Sequence, residues 1–170
     1  MPLFKPAFIA AVLVALSGSL EAQPTSPSPC SSPESRQFDF WIGEWVVTAR
    51  GNPAGESRIT RILDGCVILE EWTGRRGLIG KSFDFFDASL GKWRQVWVDN
   101  KGNSLFLTGG IQGGSMVLEG SSVNQGQQVL NRITWTPNDS THTVLQTWET
   151  SKDEGSTWTT LFSGLYSKKQ

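Results

Sequence analysis

The chain has 170 residues, the length of one domain, and its 15 Lys and Arg against 16 Asp and Glu give a formal net charge of -1. No stretch gathers four basic residues, so the sequence predicts neither a nucleic-acid groove nor a polybasic membrane-binding patch. Eight Trp, nine Phe and 18 Gly indicate a folded chain with an aromatic interior and many tight turns, and exclude a disordered one.

Residues 1–22 have the pattern of a signal peptide. Lys5 precedes an apolar run from Ala7 to Leu16, and the small-residue pattern ending at Ala22 offers a cleavage point before Gln23. The apolar run is about half of the roughly 20 residues that a membrane-spanning helix needs. We therefore predict an exported protein, periplasmic or secreted, with no stable membrane insertion after cleavage.

Residues 23–35 form a segment rich in Pro and Ser without apolar periodicity, which predicts an extended linker ahead of a folded domain over residues 36–170. The two cysteines of the chain are Cys30 and Cys66. Export favours a disulfide between them, and closing this loop stabilises a fold by about 3 to 4 kcal/mol on the chain-entropy account. A redox or nucleophilic role is disfavoured, because neither cysteine has a nearby His or basic cluster.

After residue 36 the chain repeats one pattern, in which a run rich in Val, Ile, Thr, Phe and Trp is followed by a Gly, Asn, Asp or Pro turn. Ten strands are predicted: Phe38–Arg50, Glu56–Leu63, Cys66–Gly74, Lys81–Asp87, Lys92–Asp99, Ser104–Ile111, Ser115–Val123, Gln127–Thr136, Thr141–Thr150 and Thr157–Ser167. The turns are too short for a crossover helix, so strands adjacent in sequence are expected to pair. In an open meander of this length, the first and last strands would be edge strands with unpaired backbone groups. We therefore predict an all-β fold, an up-and-down antiparallel barrel of about ten strands, with an open sandwich as the alternative.

Three strands place aromatic and polar side chains on one face, at every second residue. The patterns are Glu70-x-Trp72, Trp93-x-Gln95-x-Trp97-x-Asp99 and His142-x-Val144-x-Gln146-x-Trp148. If this face is the inner one, Trp72, Gln95, Trp97, Gln146 and Trp148 line an aromatic-walled cavity with polar anchors, which is the composition of a small-molecule site. The opposite faces, Arg94-Val96-Val98 and Val67-Leu69-Glu71, are also partly apolar, so alternation alone leaves the orientation open.

Three blocks carry a resemblance: Phe38 to Trp45, Trp93 to Asn100, and Gly65-Cys66 followed by Glu70-x-Trp72. They resemble a widespread family of exported bacterial proteins catalogued as a domain of unknown function, over roughly residues 36–166. That family has no established reaction, so the resemblance implies no particular activity.

Gly43-x-Trp45 is similar to the opening motif of lipocalins and related calycin barrels, in which the Trp closes one end of the barrel beneath a basic side chain. With its strand count, the chain is similar to ten-strand fatty-acid-binding and nitrobindin-like barrels, which carry apolar small molecules or haem. Haem carriage needs an imidazole inside the barrel, and His142 is the one histidine of the chain. Its place beside the Pro137-Asn138-Asp139 turn favours a solvated histidine, so no cofactor is predicted.

Ser151-x-Asp153-x-Gly155-x-Thr157-Trp158 matches the Asp-box pattern of sialidases at every fixed position. In that motif the Asp and Ser side chains lock a hairpin turn by bonding backbone groups. One copy cannot make a propeller, which needs several four-stranded blades. We therefore predict a turn clamp between the last two strands and no glycosidase activity.

The candidates for catalysis are few. A Ser-His-Asp relay lacks its Gly-x-Ser-x-Gly elbow, and the carboxylates do not cluster at the spacing of a metal site, so no metal is predicted. Glu70 and Asp99 are candidate acid/base groups, because desolvation in an aromatic cavity raises a carboxyl pKa. The leading hypothesis is a barrel that binds a small apolar or aromatic molecule. The alternatives are an isomerase or hydrolase acting on such a molecule, and a structural or protein-interaction accessory.

Overall fold

The computed structural model describes residues 30–169, which form a closed ten-strand antiparallel barrel. The strands are β1 Gly43–Ala49, β2 Asn52–Ile62, β3 Val67–Gly74, β4 Ile79–Asp87, β5 Lys92–Asp99, β6 Ser104–Gln112, β7 Ser115–Asn124, β8 Gln127–Asn138, β9 Thr143–Ser151 and β10 Thr159–Lys168. Each strand pairs with its neighbours in sequence, and β1 pairs with β10. The predicted lipocalin-like up-and-down barrel is thus confirmed, and the open-sandwich alternative is wrong because closure leaves no sheet edge.

The signal peptide predicted over residues 1–22, and residues 23–29 of the predicted linker, lie outside the described residues. Within residues 30–169, no helix is long and apolar enough to cross a membrane.

The first strand begins later than the predicted start at Phe38. Asp39–Trp41 form a 3-10 turn, and β1 begins only at Gly43. Phe38 and Trp41 are three residues apart, so a continuous strand would point them to opposite faces and expose one of them. A 3-10 turn brings residues i and i+3 to the same side. Both rings are accordingly buried and stacked, with centroids 5.0 Å apart.

Aromatic side chains close this end of the barrel. The rings of Trp93, Trp135 and Tyr166 surround Phe38 and Trp41, and the contacting centroids lie 5.0 to 6.1 Å apart. All five side chains are at most 1% exposed. This aromatic plug fills one end of the lumen, and Tyr166 is the plug residue that also lines the cavity beyond it.

Trp45 and Lys168 seal the junction between β1 and β10. The Lys168 ammonium lies 3.9 Å from the Trp45 ring centroid and donates a hydrogen bond to the Ile42 carbonyl at 2.6 Å. Gly43 has a φ of +146°, which L side chains rarely adopt, so the chain favours a glycine here, and the ammonium of Lys168 lies where a Cβ would be. A buried Trp beneath a basic side chain is the geometry that the resemblance to lipocalins implies for Gly43-x-Trp45.

The Cys30–Cys66 disulfide predicted from the sequence is present, with Cα atoms 4.9 Å apart. It joins the N-terminal segment to the turn between β2 and β3, at the plugged end. The Trp93 indole nitrogen donates a hydrogen bond to the Glu34 carbonyl at 3.1 Å. The segment immediately before the barrel is therefore held by one covalent bond and by a contact with the plug.

Candidate functional site: an aromatic cavity and a buried acid pair

A cavity of about 150 Å³ lies inside the barrel and extends toward the β3–β4 hairpin. Its walls are mostly aromatic, formed by Trp72, Trp97, Trp148, Phe162 and Tyr166. Aliphatic side chains contribute Leu78, Leu105 and Ile133, and the polar side chains are Glu70, Gln95 and Gln146. The cavity thus combines a large apolar surface with a few hydrogen-bonding groups.

The structure brings together all five residues that the sequence suggested for ligand contact. Trp72 lies on β3, Gln95 and Trp97 lie on β5, and Gln146 and Trp148 lie on β9, all lining the same cavity. The Trp-bearing faces of these strands therefore point inward, which settles the orientation that alternation left open.

Two glycines beside the aromatic walls leave room for the rings. A Cβ on Gly80 would lie 2.2 Å from the Trp97 ring, and one on Gly164 would lie 2.5 Å from the Phe162 ring. Trp97 on β5 thus occupies the space that a side chain at position 80 of the adjacent strand β4 would fill. The Phe162 ring occupies the space that a side chain at position 164, two residues further along β10 itself, would fill.

Glu70 and Asp84 form a buried acid pair bridged by Ser82. The Ser82 Oγ lies 2.8 Å from Asp84 Oδ2 and 3.1 Å from Glu70 Oε2. Ser57 Oγ donates to Glu70 Oε1 at 2.9 Å, and Gln95 Nε2 donates to Asp84 Oδ1 at 2.8 Å. Glu70 is 3% exposed and Asp84 is fully buried. None of the ion pairs among residues 30–169 involves either carboxyl.

This geometry requires a proton within the acid pair. The Ser82 hydroxyl has one proton and can donate to only one carboxyl, so the other carboxyl must itself be protonated and donate to the Ser82 oxygen. Burial raises the pKa of Glu70 to about 7, against the opposing effect of the two serine hydroxyls. Burial and then the charge of Glu70 raise the pKa of Asp84 well above its usual range. Glu70 lines the cavity and, with a pKa of about 7, ionises near neutral pH. Because the bridge through Ser82 needs one carboxyl proton, Asp84 is then the carboxyl that holds it.

Tyr166 and Gln146 form the second polar contact of the cavity. The Tyr166 hydroxyl donates to Gln146 Oε1 at 2.7 Å. Burial, followed by the charge of Glu70, raises the pKa of Tyr166 well above its usual range, so the phenol stays protonated. Because the amide oxygen of Gln146 is engaged, its Nε2 hydrogens remain as donors for a ligand.

Asp99, the other acid/base candidate, does not line the cavity. Its carboxylate accepts hydrogen bonds from the backbone amides of Lys101 at 2.8 Å and Asn103 at 3.0 Å. Although burial acts in the opposite direction, the hydrogen bonds from Asn103 and Lys101 hold its pKa below the usual range. Asp99 thus stabilises the turn between β5 and β6.

His142 is exposed in the turn between β8 and β9, with a φ of +52°, and no imidazole of the described chain lines the cavity. Within residues 30–169, no three His, Cys, Asp or Glu side chains gather in a group that could hold a metal ion.

The Asp-box segment has the geometry of a turn clamp. Asp153 accepts hydrogen bonds from the Thr157 amide at 2.9 Å and the Thr157 hydroxyl at 2.6 Å, and Ser151 Oγ accepts one from the Gly155 amide at 2.8 Å. The bonds from Thr157 and then Ser151 lower the pKa of Asp153 to about 2. Asp153 holds the β9–β10 turn and does not line the cavity.

Sequence reasoning missed Ser57, Ser82 and Asp84. On β4 the polar residues alternate with Phe83 and Phe85, which dominate the composition of that strand. The detectable signal is register, since Glu70 pairs with Ser82 and Asp84 pairs with Gln95 once the hairpins are aligned.

A scan against models of known protein families and a search among curated proteins find no match to this chain. The fold and the site define its class, which is a lipocalin-like ten-strand barrel with an aromatic cavity and a buried acid pair.

Proposed function

We propose that the protein is an exported barrel that binds a small apolar or aromatic molecule in its cavity. The observation that carries this proposal is a concave wall of aromatic side chains around a few hydrogen-bonding groups, which is how small-molecule sites are built. A cavity of about 150 Å³ is suited to a single ring with a short substituent. The disulfide supports export, because such bonds persist in oxidising compartments.

The open side of the cavity supports a ligand longer than one ring. A groove between the β1–β2 and β3–β4 hairpins shares Trp72, Leu78 and Phe162 with the cavity. A substituent on the ligand ring that leaves the cavity past these side chains would enter the groove. The cavity would then set which ring is accepted, and the groove would accommodate substituents of different lengths.

Trp97→Ala tests the proposal with a neutral apolar fluorescent probe such as N-phenyl-1-naphthylamine. Removing a large buried contact should weaken probe binding by about 1 to 3 kcal/mol. Binding to the wild type should also quench indole fluorescence, since three of the wall residues are Trp.

Phe106→Ala is the matched control, because Phe106 lies on the neighbouring strand, is 60% exposed and points outward. Its removal should leave probe affinity unchanged. Equal binding by the wild type and Trp97→Ala, with Trp97 open to iodide quenching in both free and loaded protein, would refute the cavity proposal.

A second candidate function, an isomerase or hydrolase acting on the bound molecule, is favoured by one observation. Glu70 lines the cavity with a pKa of about 7, which suits an acid/base group, and Ser82 connects it to the protonated Asp84. Incubation with a neutral aryl ketone in D₂O tests proton transfer. The α-hydrogen would pass to the Glu70 carboxylate and a deuteron would return to carbon. Exchange that depends on Glu70 and survives Glu71→Gln would support an enzyme, whereas exchange at the buffer rate would refute proton abstraction.

A further inference from the structure

The cavity carries negative charge and no positive charge of its own. Its lining includes Glu70 but no Lys, Arg or His. The lining also includes three indoles, a ring type whose face attracts a cation. The adjoining groove carries Arg50, Arg75 and Arg76, which lie outside the cavity lining. A ligand carboxylate held inside the cavity, beside an ionised Glu70, would have no cationic side chain of the lining to pair with.

The groups that face Glu70 can be named for each strand packed around it. Ser57 faces it from β2, Ser82 and Asp84 from β4, and Tyr166 from β10. Asp84 and Tyr166 are the titratable ones, and both stay neutral when Glu70 ionises. The ionised Glu70 is therefore a buried charge with no cationic side chain beside it in the cavity lining, and an unpaired buried charge is costly.

We propose that the ligand is a small organic cation, an aliphatic ammonium joined to an aromatic or apolar body. Glu70 pairs with the ammonium, the faces of Trp72, Trp97 and Trp148 surround it, and the body fills the rest of the cavity. This inference rests on the proposed ligand-binding function and specifies its ligand class. Where Glu70 is protonated before binding, its proton is released to solvent as the ammonium arrives, so affinity rises with pH.

Calorimetric titration of the purified protein with benzylamine, benzyl alcohol and benzoate tests the inference, because the three probes share a ring and differ in charge. With Glu70 titrating near pH 7, its ionised fraction rises from about 3% at pH 5.5 to about 90% at pH 8, so benzylamine should bind about 30-fold more tightly at pH 8. Benzyl alcohol should bind equally at both values, and benzoate should bind more weakly than the alcohol at pH 8. In buffers of different ionisation heat, benzylamine should release about 0.9 proton at pH 6.

Glu70→Gln should remove this pH dependence and the proton release, and should lower benzylamine affinity to that of benzyl alcohol. Glu71→Gln is the matched control, because Glu71 is the next residue on β3, faces outward and pairs with Lys81 at 2.8 Å. It should keep the wild-type pH dependence.

Benzylamine that binds no more tightly than benzyl alcohol at pH 8 would overturn the cation inference, and this comparison needs no variant. If benzyl alcohol still binds, the proposed ligand-binding function stands without the cation preference. If none of the three probes binds, both proposals fall.

Discussion

Replacing Glu70 with Gln should stabilise the barrel, and more strongly as pH rises. The pKa of Glu70 is about 7 in the folded protein, against an ordinary value of 4.5. Between these values the unfolded chain has released a proton that the folded chain retains. The free energy of unfolding contributed by this group therefore falls as pH rises from about 4.5 through about 7. That pKa difference corresponds to a loss of about 3 kcal/mol at pH 8, which the non-ionising Gln avoids.

Urea unfolding measures this effect. The free energy of unfolding of Glu70→Gln is compared with that of the wild type at pH 5 and again at pH 8, and the difference should be larger at pH 8. Groups other than Glu70 contribute to both proteins, so most of their titration cancels. Glu71→Gln again serves as the control. The hydrogen bond and charge of Lys81 lower the pKa of Glu71, so its removal cannot yield a gain that grows with pH. A Glu70→Gln difference that is the same at both pH values would show that Glu70 ionises equally in the folded and unfolded chains, and would refute the acid pair as described.

Two further predictions concern the ends of the barrel. Replacing Cys30 and Cys66 together with Ser should lower the free energy of unfolding by about 3 to 4 kcal/mol; urea unfolding equal to that of the oxidised wild type would contradict it. Asp153→Ala should lower the melting temperature at pH 7, because the lowered pKa of Asp153 means that its ionised form stabilises the fold. This stabilisation is present above the ordinary pKa of an Asp and is lost as pH falls toward 2. The difference in melting temperature, followed by circular dichroism, should shrink with acidification, and a difference that grows in acid would refute the clamp.

The strands could be predicted because each one ends at a turn residue and alternates its side chains. Lys92–Asp99, for example, has both of its predicted bounds. The start of β1 could not be predicted in the same way, since Phe38 and Trp41 have the composition of a strand. They form a 3-10 turn because this conformation buries both rings against Trp93, Trp135 and Tyr166. These three partners come from β5, β8 and β10, so the contact depends on tertiary structure and cannot be read from the local sequence.

The sequence shows which side chains of a strand share a face, but not whether that face points into the barrel. Period-two spacing links Gln95 with Trp97, while Val96 and Val98 on the other side of β5 are just as apolar. Closure of the barrel decides between the two faces. Asp84 was missed because Phe83, which is 40% exposed, gives β4 an apolar outer face, so alternation along this strand alone does not mark its inner face.

Gly80 and Gly164 affect the size of the cavity without contributing a side chain to its lining. Alanine at position 80 or 164 would displace the ring of Trp97 or Phe162 without replacing any side chain that lines the cavity. Substitution at these two positions thus offers protein engineers a way to resize the chamber while its acid pair and amides stay intact. The same substitutions are open to evolution, so the cavity volume of such a barrel can change through residues that are not part of the cavity lining.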